Sequence, residues 1–236
     1  QSEKVYRKYL LNVLSWHEEK YSNTNNKKID KILYVVGESH SLVSHHLHVQ
    51  ISDSDILCEA KLIKGCKQWH LGNSIKNQYK NQFEGIFCSL PKFSEVLLTI
   101  GEVDCRLDSG IIKYQNKFPE KNIEKITIST IENYFNYIIK INSTCQHRII
   151  IQGVPCPNIH TENCPENDVT QLIELINMFN YELETKAKER GFGFLDVHKL
   201  TDRGDGFSNA IWHIDSYHLS PEGFLEAWSR YISKLR

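Results

Sequence analysis

Residues 31–41 read Lys-Ile-Leu-Tyr-Val-Val-Gly-Glu-Ser-His-Ser. Lys31–Val36 is a short apolar run rich in β-formers, and Gly37 stops it, so the spacing predicts a buried strand. The same signature recurs along the chain. Asp55–Cys58, Ser94–Ile100 (ending at Gly101), His147–Ile151 (ending at Gly153) and Phe194–Val197 are the other strand candidates. Helical patterns lie between them. Ile123–Ile141 places Ile131, Phe135, Ile138 and Ile139 on one side, and Asp168–Arg190 does the same with Leu172, Leu175, Ile176, Phe179 and Leu183 before Gly191. Pro221–Leu235 opens with Ser220 as N-cap and Pro221 at the first helical position. Residues 2–21 form a further amphipathic pattern through Val5, Tyr9, Val13 and Trp16. Short buried strands alternating with longer helices predict an α/β fold with a mainly parallel sheet.

Composition narrows the function classes. The 236 residues carry 28 basic and 29 acidic side chains, a formal charge of -1, which argues against a nucleic-acid partner. No run reaches the roughly 18–20 apolar residues of a membrane helix, so a spanning helix is excluded. The 7 cysteines are an odd number, which fits reduced, mostly buried thiols better than a disulfide framework. A cytoplasmic location is the expectation, with export and a longer parent polypeptide left open by the start at Gln1. The chain divides into an N-terminal helix and loop over 1–30 and one domain over 31–236.

In open parallel sheets ligands bind beyond the carboxyl ends of the strands. That directs attention to Glu38-Ser39-His40, to Glu102–Arg106 and to Pro155–Cys164. Ser39 follows a strand at a turn that Gly37 permits, with a helix start close by, a position that suits a nucleophile whose oxyanion meets backbone donors. A serine there is also an ordinary N-cap. Asp215 and His218 stand three apart just before the capped final helix, where one loop can hold a carboxylate that orients an imidazole.

Gly37-Glu38-Ser39-His40, Gly101-Glu102-Val103-Asp104 and Asp215-Ser216-Tyr217-His218-Leu219-Ser220 together resemble, in order and spacing, the blocks of the SGNH (GDSL-type) hydrolases over about residues 31–236. The resemblance implies a three-layer α/β/α, flavodoxin-like fold with a five-stranded sheet. It implies Ser39 as nucleophile, His218 as base and Asp215 as its orienting acid, acting on small acyl esters or O-acylated glycans without metal or cofactor. It also implies an oxyanion hole of three donors. Ser39 N–H is the first; Gly72, in His70-Leu71-Gly72-Asn73, is the choice for the second, with Gly65 as rival. Val103 stands where the third donor, an asparagine, belongs, and valine cannot donate. Asn73 and Arg106 are the candidate substitutes, and Glu102, Asp104 and Arg106 are candidate substrate-binding residues; an internal Arg106–Glu102 pair is the plainer reading of two of them.

Three functions follow as expectations. The first is a serine esterase removing O-acyl groups, foremost O-acetyl groups on carbohydrate. The second is an O-acyltransferase in polysaccharide modification. The third is a non-catalytic glycan- or partner-binding domain. Two rival constellations carry less. His45, His46 and His48 could share a helix face, but no carboxylate or cysteine partner completes a zinc site, and surface histidines are the better reading. Cys156-x3-His160-x3-Cys164 lacks structural-zinc spacing and reads as a local disulfide or a loop near the site. His213 reads equally as pocket lining or as packing.

Overall fold

The computed structural model describes residues 3–20, 29, 31–51, 54–159 and 165–235. Six strands form one sheet: β1 (Lys31–Gly37), β2 (His48–Ile51), β3 (Ser54–Leu62), β4 (Glu95–Thr99), β5 (Arg148–Gln152) and β6 (Gly193–Leu195), in spatial order β2-β3-β1-β4-β5-β6. All neighbours are parallel except β2, which pairs antiparallel with β3. The five parallel strands match the expectation. β2 is the addition, an edge strand whose polar alternation gives no apolar run to read.

The sheet is buried on both faces, which is why its central strands are near-continuous apolar runs. Along β1 the side chains alternate between two cores. Tyr34 and Val36 face one with Val96, Leu98, Ile149 and Ile151; Leu33 and Val35 face the other with Leu97 and Ile150. Helices α2 (Gln68–Gly72), α3 (Gln78–Phe87), α5 (Ile111–Lys117), α6 (Ile123–Cys145) and α7 (Glu166–Glu189) contribute to the first core through residues such as Leu71, Phe83, Ile111, Phe135 and Phe179. α1 (Glu3–Lys20) and α9 (Pro221–Ser233) contribute to the second through Tyr9, Val13, Phe224 and Trp228. α4 (Glu102–Cys105) and α8 (Val197–Thr201) are short turns of helix after β4 and β6. The result is three layers, as the family resemblance implies.

The N-terminal helix is tied to the body. Tyr9 and Val13 are buried, and Trp16 and Lys20 both donate to Glu222 in the first turn of α9. Of the six cysteines described, all are free and only Cys88 is exposed; Cys164 and His160 lie outside the described residues.

Without β2 the order is β3-β1-β4-β5-β6, so successive connections leave β1 in opposite directions. The switch point between β1 and β4 is where such folds bind ligands. Gly37 ends β1 there, in register with Thr99 of β4. A Cβ on Gly37 would stand 2.2 Å from Thr99 Oγ1 and 2.3 Å from Thr99 O, so only glycine lets the two strand ends approach. Gly37→Ala is therefore expected to lower stability by about 1–3 kcal/mol, the usual cost of overpacking; a thermal melt unchanged from wild type would refute this account of the switch point.

Candidate active site

Beyond Gly37 the chain turns at Glu38 into a 3-10 helix, Ser39–Ser44. The Glu38 carboxylate caps it, accepting from the His40 N–H at 3.2 Å. Ser39 occupies the first helical position, where a helix leaves N–H groups without internal partners. The C-terminal loop arrives from the other side. Asp215 Oδ1 accepts from the backbone N–H of Tyr217 (2.8 Å) and of His218 (2.7 Å), which folds Asp215–His218 into one tight turn. Ser220 then caps α9 by accepting from Gly223 N–H at 3.0 Å.

The two segments meet. Ser39 Oγ lies 2.8 Å from His218 Nε2, and His218 Nδ1 lies 2.8 Å from Asp215 Oδ2. With a carboxylate facing Nδ1, that nitrogen carries the proton and Nε2 is free to accept. Asp215 is held down to about 2: burial raises it, but the hydrogen bond and charge of His218 and two backbone N–H groups outweigh that. Burial, then the nearby charge of His40, lower His218 against the opposing pull of Asp215.

That charge belongs to a pair the sequence did not announce. Glu38 Oε1 and His40 Nδ1 are 2.6 Å apart with both side chains almost fully buried. The other His40 nitrogen, Nε2, donates to Tyr217 O at 2.9 Å. Both ring nitrogens face acceptors, so both carry protons and the ring is cationic. Burial works against each charge, but the partner wins: Glu38 is lowered to about 2 and His40 raised to about 9. Glu38 Oε2 also lies 2.7 Å from Ser39 Oγ, so the serine hydroxyl sits between a carboxylate and an imidazole. His218 is the stronger base of the two, since Glu38 is stabilised as the anion.

Tyr9 of the N-terminal helix completes the enclosure. Its ring stacks on His218 with centroids 3.8 Å apart at 16°, and its hydroxyl donates to Ser39 O at 2.8 Å. No local pattern ties Tyr9 to the site, since it reads as one apolar position among several.

The remaining predicted residues divide. Glu102 and Arg106 form an ion pair, Nε donating to both carboxylate oxygens at 2.8 Å, and the guanidinium lies 4.7 Å from the Tyr217 ring centroid. They line a cavity of about 210 Å³ beside Ser216 and Tyr217 of the triad loop, with Pro155, Leu172 and Ile176. Asp104 is buried and accepts from the N–H groups of Gln68 (2.7 Å) and Trp69 (3.1 Å), so it caps α2. Burial, only partly offset by those bonds, pushes its carboxyl up to about 7.

Gly72 has a packing role. A Cβ there would come within 2.9 Å of Asn133 Cβ and Tyr134 N, so it is the glycine that lets α2 pack on α6. The rival, Gly65, has φ +71 in the turn after β3, whose Ile63 N–H donates to Gly37 O at 2.7 Å; it is the glycine beside the end of β1. Asn73 Oδ1 accepts from Ile75 N–H, and Asn73 lines a separate, larger cavity with Gly72. Val103 is buried. His213 Nδ1 bonds to Ser208 Oγ and packs behind the loop; burial lowers it to about 4. His45 and His46 lie in a turn and His48 on β2, so the helix-face reading is overturned by the edge hairpin.

Among the described residues, Glu38, His40 and His218 form the one group with ligand atoms close enough for a metal, all within 4.8 Å. Both nitrogens of His40 are already committed as donors, so the donor set fits a proton network.

No protein-family model and no curated protein matches the sequence. Solved structures do match. An extracellular lipase from Streptomyces rimosus superposes with a TM-score of 0.53 at 14% identity, over 85% of this chain and 99% of that one. A GDSL-like lipase from Bacteroides thetaiotaomicron gives 0.51 at 14%, over 87% and 89%. Est24, a carbohydrate acetylesterase from Sinorhizobium meliloti, gives 0.53 at 12%, over 87% and 98%. The fold is that of the SGNH/GDSL-type hydrolases.

Two outcomes follow from the buried pair. His40→Gln leaves Glu38 charged without its cation and is expected to cost about 3–5 kcal/mol in a denaturant titration. The wild type also has a pH signature. Its His40 contribution is complete below 6.5 and is lost as pH rises through about 9; its Glu38 contribution is complete above 4.5 and is lost as pH falls through about 2. Stability should therefore fall between pH 6.5 and 9 more steeply in wild type than in His40→Gln, and equal slopes would show that His40 is not charged in the fold.

Proposed function

We propose that the protein is a serine ester hydrolase that forms an acyl-enzyme on Ser39, with O-acetyl groups of a carbohydrate as its substrate class. The observation that carries this is the hydrogen-bonded line from Ser39 Oγ through His218 to Asp215, 2.8 Å at each step. Ser39 Oγ attacks the ester carbonyl as its proton passes to His218 Nε2, and Asp215 holds the resulting imidazolium. The carbonyl electrons move onto oxygen, and their return breaks the bond to the leaving alcohol, which takes the proton from Nε2. Water then repeats the sequence against the acyl-enzyme and frees Ser39 and the acid.

In this reading the oxyanion is met by Ser39 N–H at the start of the 3-10 helix, with Gly65, two residues past the Ile63–Gly37 hydrogen bond, as the second donor. Arg106 supplies the positive charge that compensates for the donor Val103 lacks. The cavity of about 210 Å³ beside the triad loop suits a small acyl group. Support for the acetyl-carbohydrate choice comes from Est24, whose description is that of a carbohydrate acetylesterase. Transfer of the acyl group to a sugar hydroxyl shares every step up to the acyl-enzyme.

The test is hydrolysis of p-nitrophenyl acetate and of acetylated xylo-oligosaccharides, with acetate release and acetyl transfer to added sugar both quantified. Ser39→Ala and His218→Ala should each lower kcat by about 10⁴-fold or more, and Arg106→Gln by about 100-fold with its melting curve as a check on folding. Activity equal to wild type in Ser39→Ala would reject the triad, and transfer exceeding hydrolysis would replace the hydrolase with the transferase.

The pH profile adds a second check. The base must be neutral, and His218 is lowered from 6.5, so kcat/KM should rise with a midpoint below pH 6.5. Removing the His40 charge leaves Glu38 and Asp215 acting on His218, so His40→Gln should move that midpoint upward. A downward movement would contradict the electrostatic assignment.

A further inference from the structure

A second cavity lies apart from the triad. It has a volume of about 880 Å³ and runs between α2, α5 and the start of α6. Its charge is unlike that of the whole chain. Five lysines line it (Lys67, Lys113, Lys117, Lys121 and Lys125), against two carboxylates, Asp104 and Glu120. Asp104 is buried and occupied with the N–H groups at the start of α2. Among the described residues none of the five lysines has a carboxylate partner within 4.0 Å; the ion-paired lysines are Lys20, Lys61, Lys186 and Lys188. A chain with a net charge of -1 thus gathers a strongly cationic groove.

The arrangement of the charges indicates the ligand. Lys113, Lys117, Lys121 and Lys125 are exposed: Lys113 and Lys117 stand about 6 Å apart along α5, Lys121 lies in the turn before α6, and Lys125 lies in the first turn of α6. The charges thus come from two helices and the turn that joins them. Lys67 Nζ donates to Ser109 O, which ties it to the wall. Trp69, 52% exposed, also lines the groove; Tyr114 lines it too, but Lys121 lies over its ring (Nζ 4.7 Å from the centroid) and donates to its hydroxyl. Several unpaired cations beside an exposed indole suit a chain of sugar rings bearing repeated negative charge: lysines pair with the acidic groups, and Trp69 stacks on the apolar face of a sugar.

One chain segment contributes to both cavities. Its wall includes Asp104, Ser109 and Gly110, while Glu102 and Arg106 of the same segment line the small cavity beside the triad loop. Gly110 folds that segment tightly, since a Cβ there would stand 2.0 Å from Asp104 O. We propose that this groove binds an acidic oligosaccharide and presents its neighbouring acyl ester to Ser39. The presentation step rests on the hydrolase reading above; the binding does not.

The test uses the full chain and isothermal titration with oligogalacturonate (carboxylate), heparin-derived oligosaccharide (sulfate and carboxylate), xylo-oligosaccharide (neutral) and single-stranded RNA. At least one acidic glycan should bind at least tenfold more tightly than the neutral one, and the affinity should fall as salt screens the charges. The variant with Lys113, Lys117, Lys121 and Lys125 each changed to Gln should lose that preference, and the same four changed to Arg should keep it. Equal affinity for acidic and neutral glycans, or a preference that survives the Gln variant, overturns the proposal; tighter binding of RNA than of either acidic glycan overturns the ligand class. Wild-type turnover of p-nitrophenyl acetate, measured in parallel, separates the two claims. Binding without turnover upholds the groove and removes the hydrolase, and turnover without binding does the reverse.

Discussion

Glu38 and His40 carry opposite charges 2.6 Å apart where water scarcely reaches, and Ser39 stands between them in the chain. Either charge alone at that depth would bear its desolvation cost without the partner that offsets it. Together they fix the turn after β1: Glu38 caps the 3-10 helix and touches the serine hydroxyl, and His40 reaches across to the carbonyl of Tyr217. The bond to Tyr217 docks the C-terminal loop, and with it Asp215 and His218, against a serine that lies far away in sequence. The cation beside His218 also opposes its protonation. One buried pair thus contributes to the shape of the site and to the basicity of its imidazole. Such pairs add little net stability when intact and cost much when halved, so its importance here is specificity of arrangement.

Around that pair the fold provides enclosure. The Gly37–Thr99 approach sets the gap between β1 and β4, and the N-terminal helix closes one side by laying Tyr9 flat on His218. The helix is therefore part of the wall of the site. The opposite side carries the departure at Val103. Arg106, held by Glu102 and stacked on Tyr217, brings charge to the same neighbourhood by a different route. A guanidinium offers five donors in a fixed plane, so the local chemistry differs from that of an asparagine amide.

Much of this was legible in the sequence, for identifiable reasons. Strands β1, β4 and β5 are apolar on both faces and end near Gly37, Gly101 and Gly153, so each announces itself. Asp215 and His218 are legible because Ser220 and Pro221 mark the helix that follows them. What stayed hidden depends on partners distant in the chain. Gly65 and Gly72 are both turn glycines by local pattern; Asn133 and Tyr134 make one a packing residue, and the end of β1 makes the other a neighbour of the site. β2 was missed because an edge strand needs no apolar run. Glu38 and His40 were visible beside Ser39, but their pairing became significant only with the Tyr217 carbonyl placed against them. Tyr9 carried no signal beyond helical spacing.

The central claim is that His218 activates Ser39 within this enclosed turn. It is tested most directly by the rate at which a fluorophosphonate forms a covalent adduct, read by peptide mass spectrometry on folded wild type and on His218→Ala. The account predicts one adduct, on Ser39, formed at least a hundredfold faster in wild type. An adduct on another residue, no adduct on folded protein, or equal rates in the two proteins would contradict it.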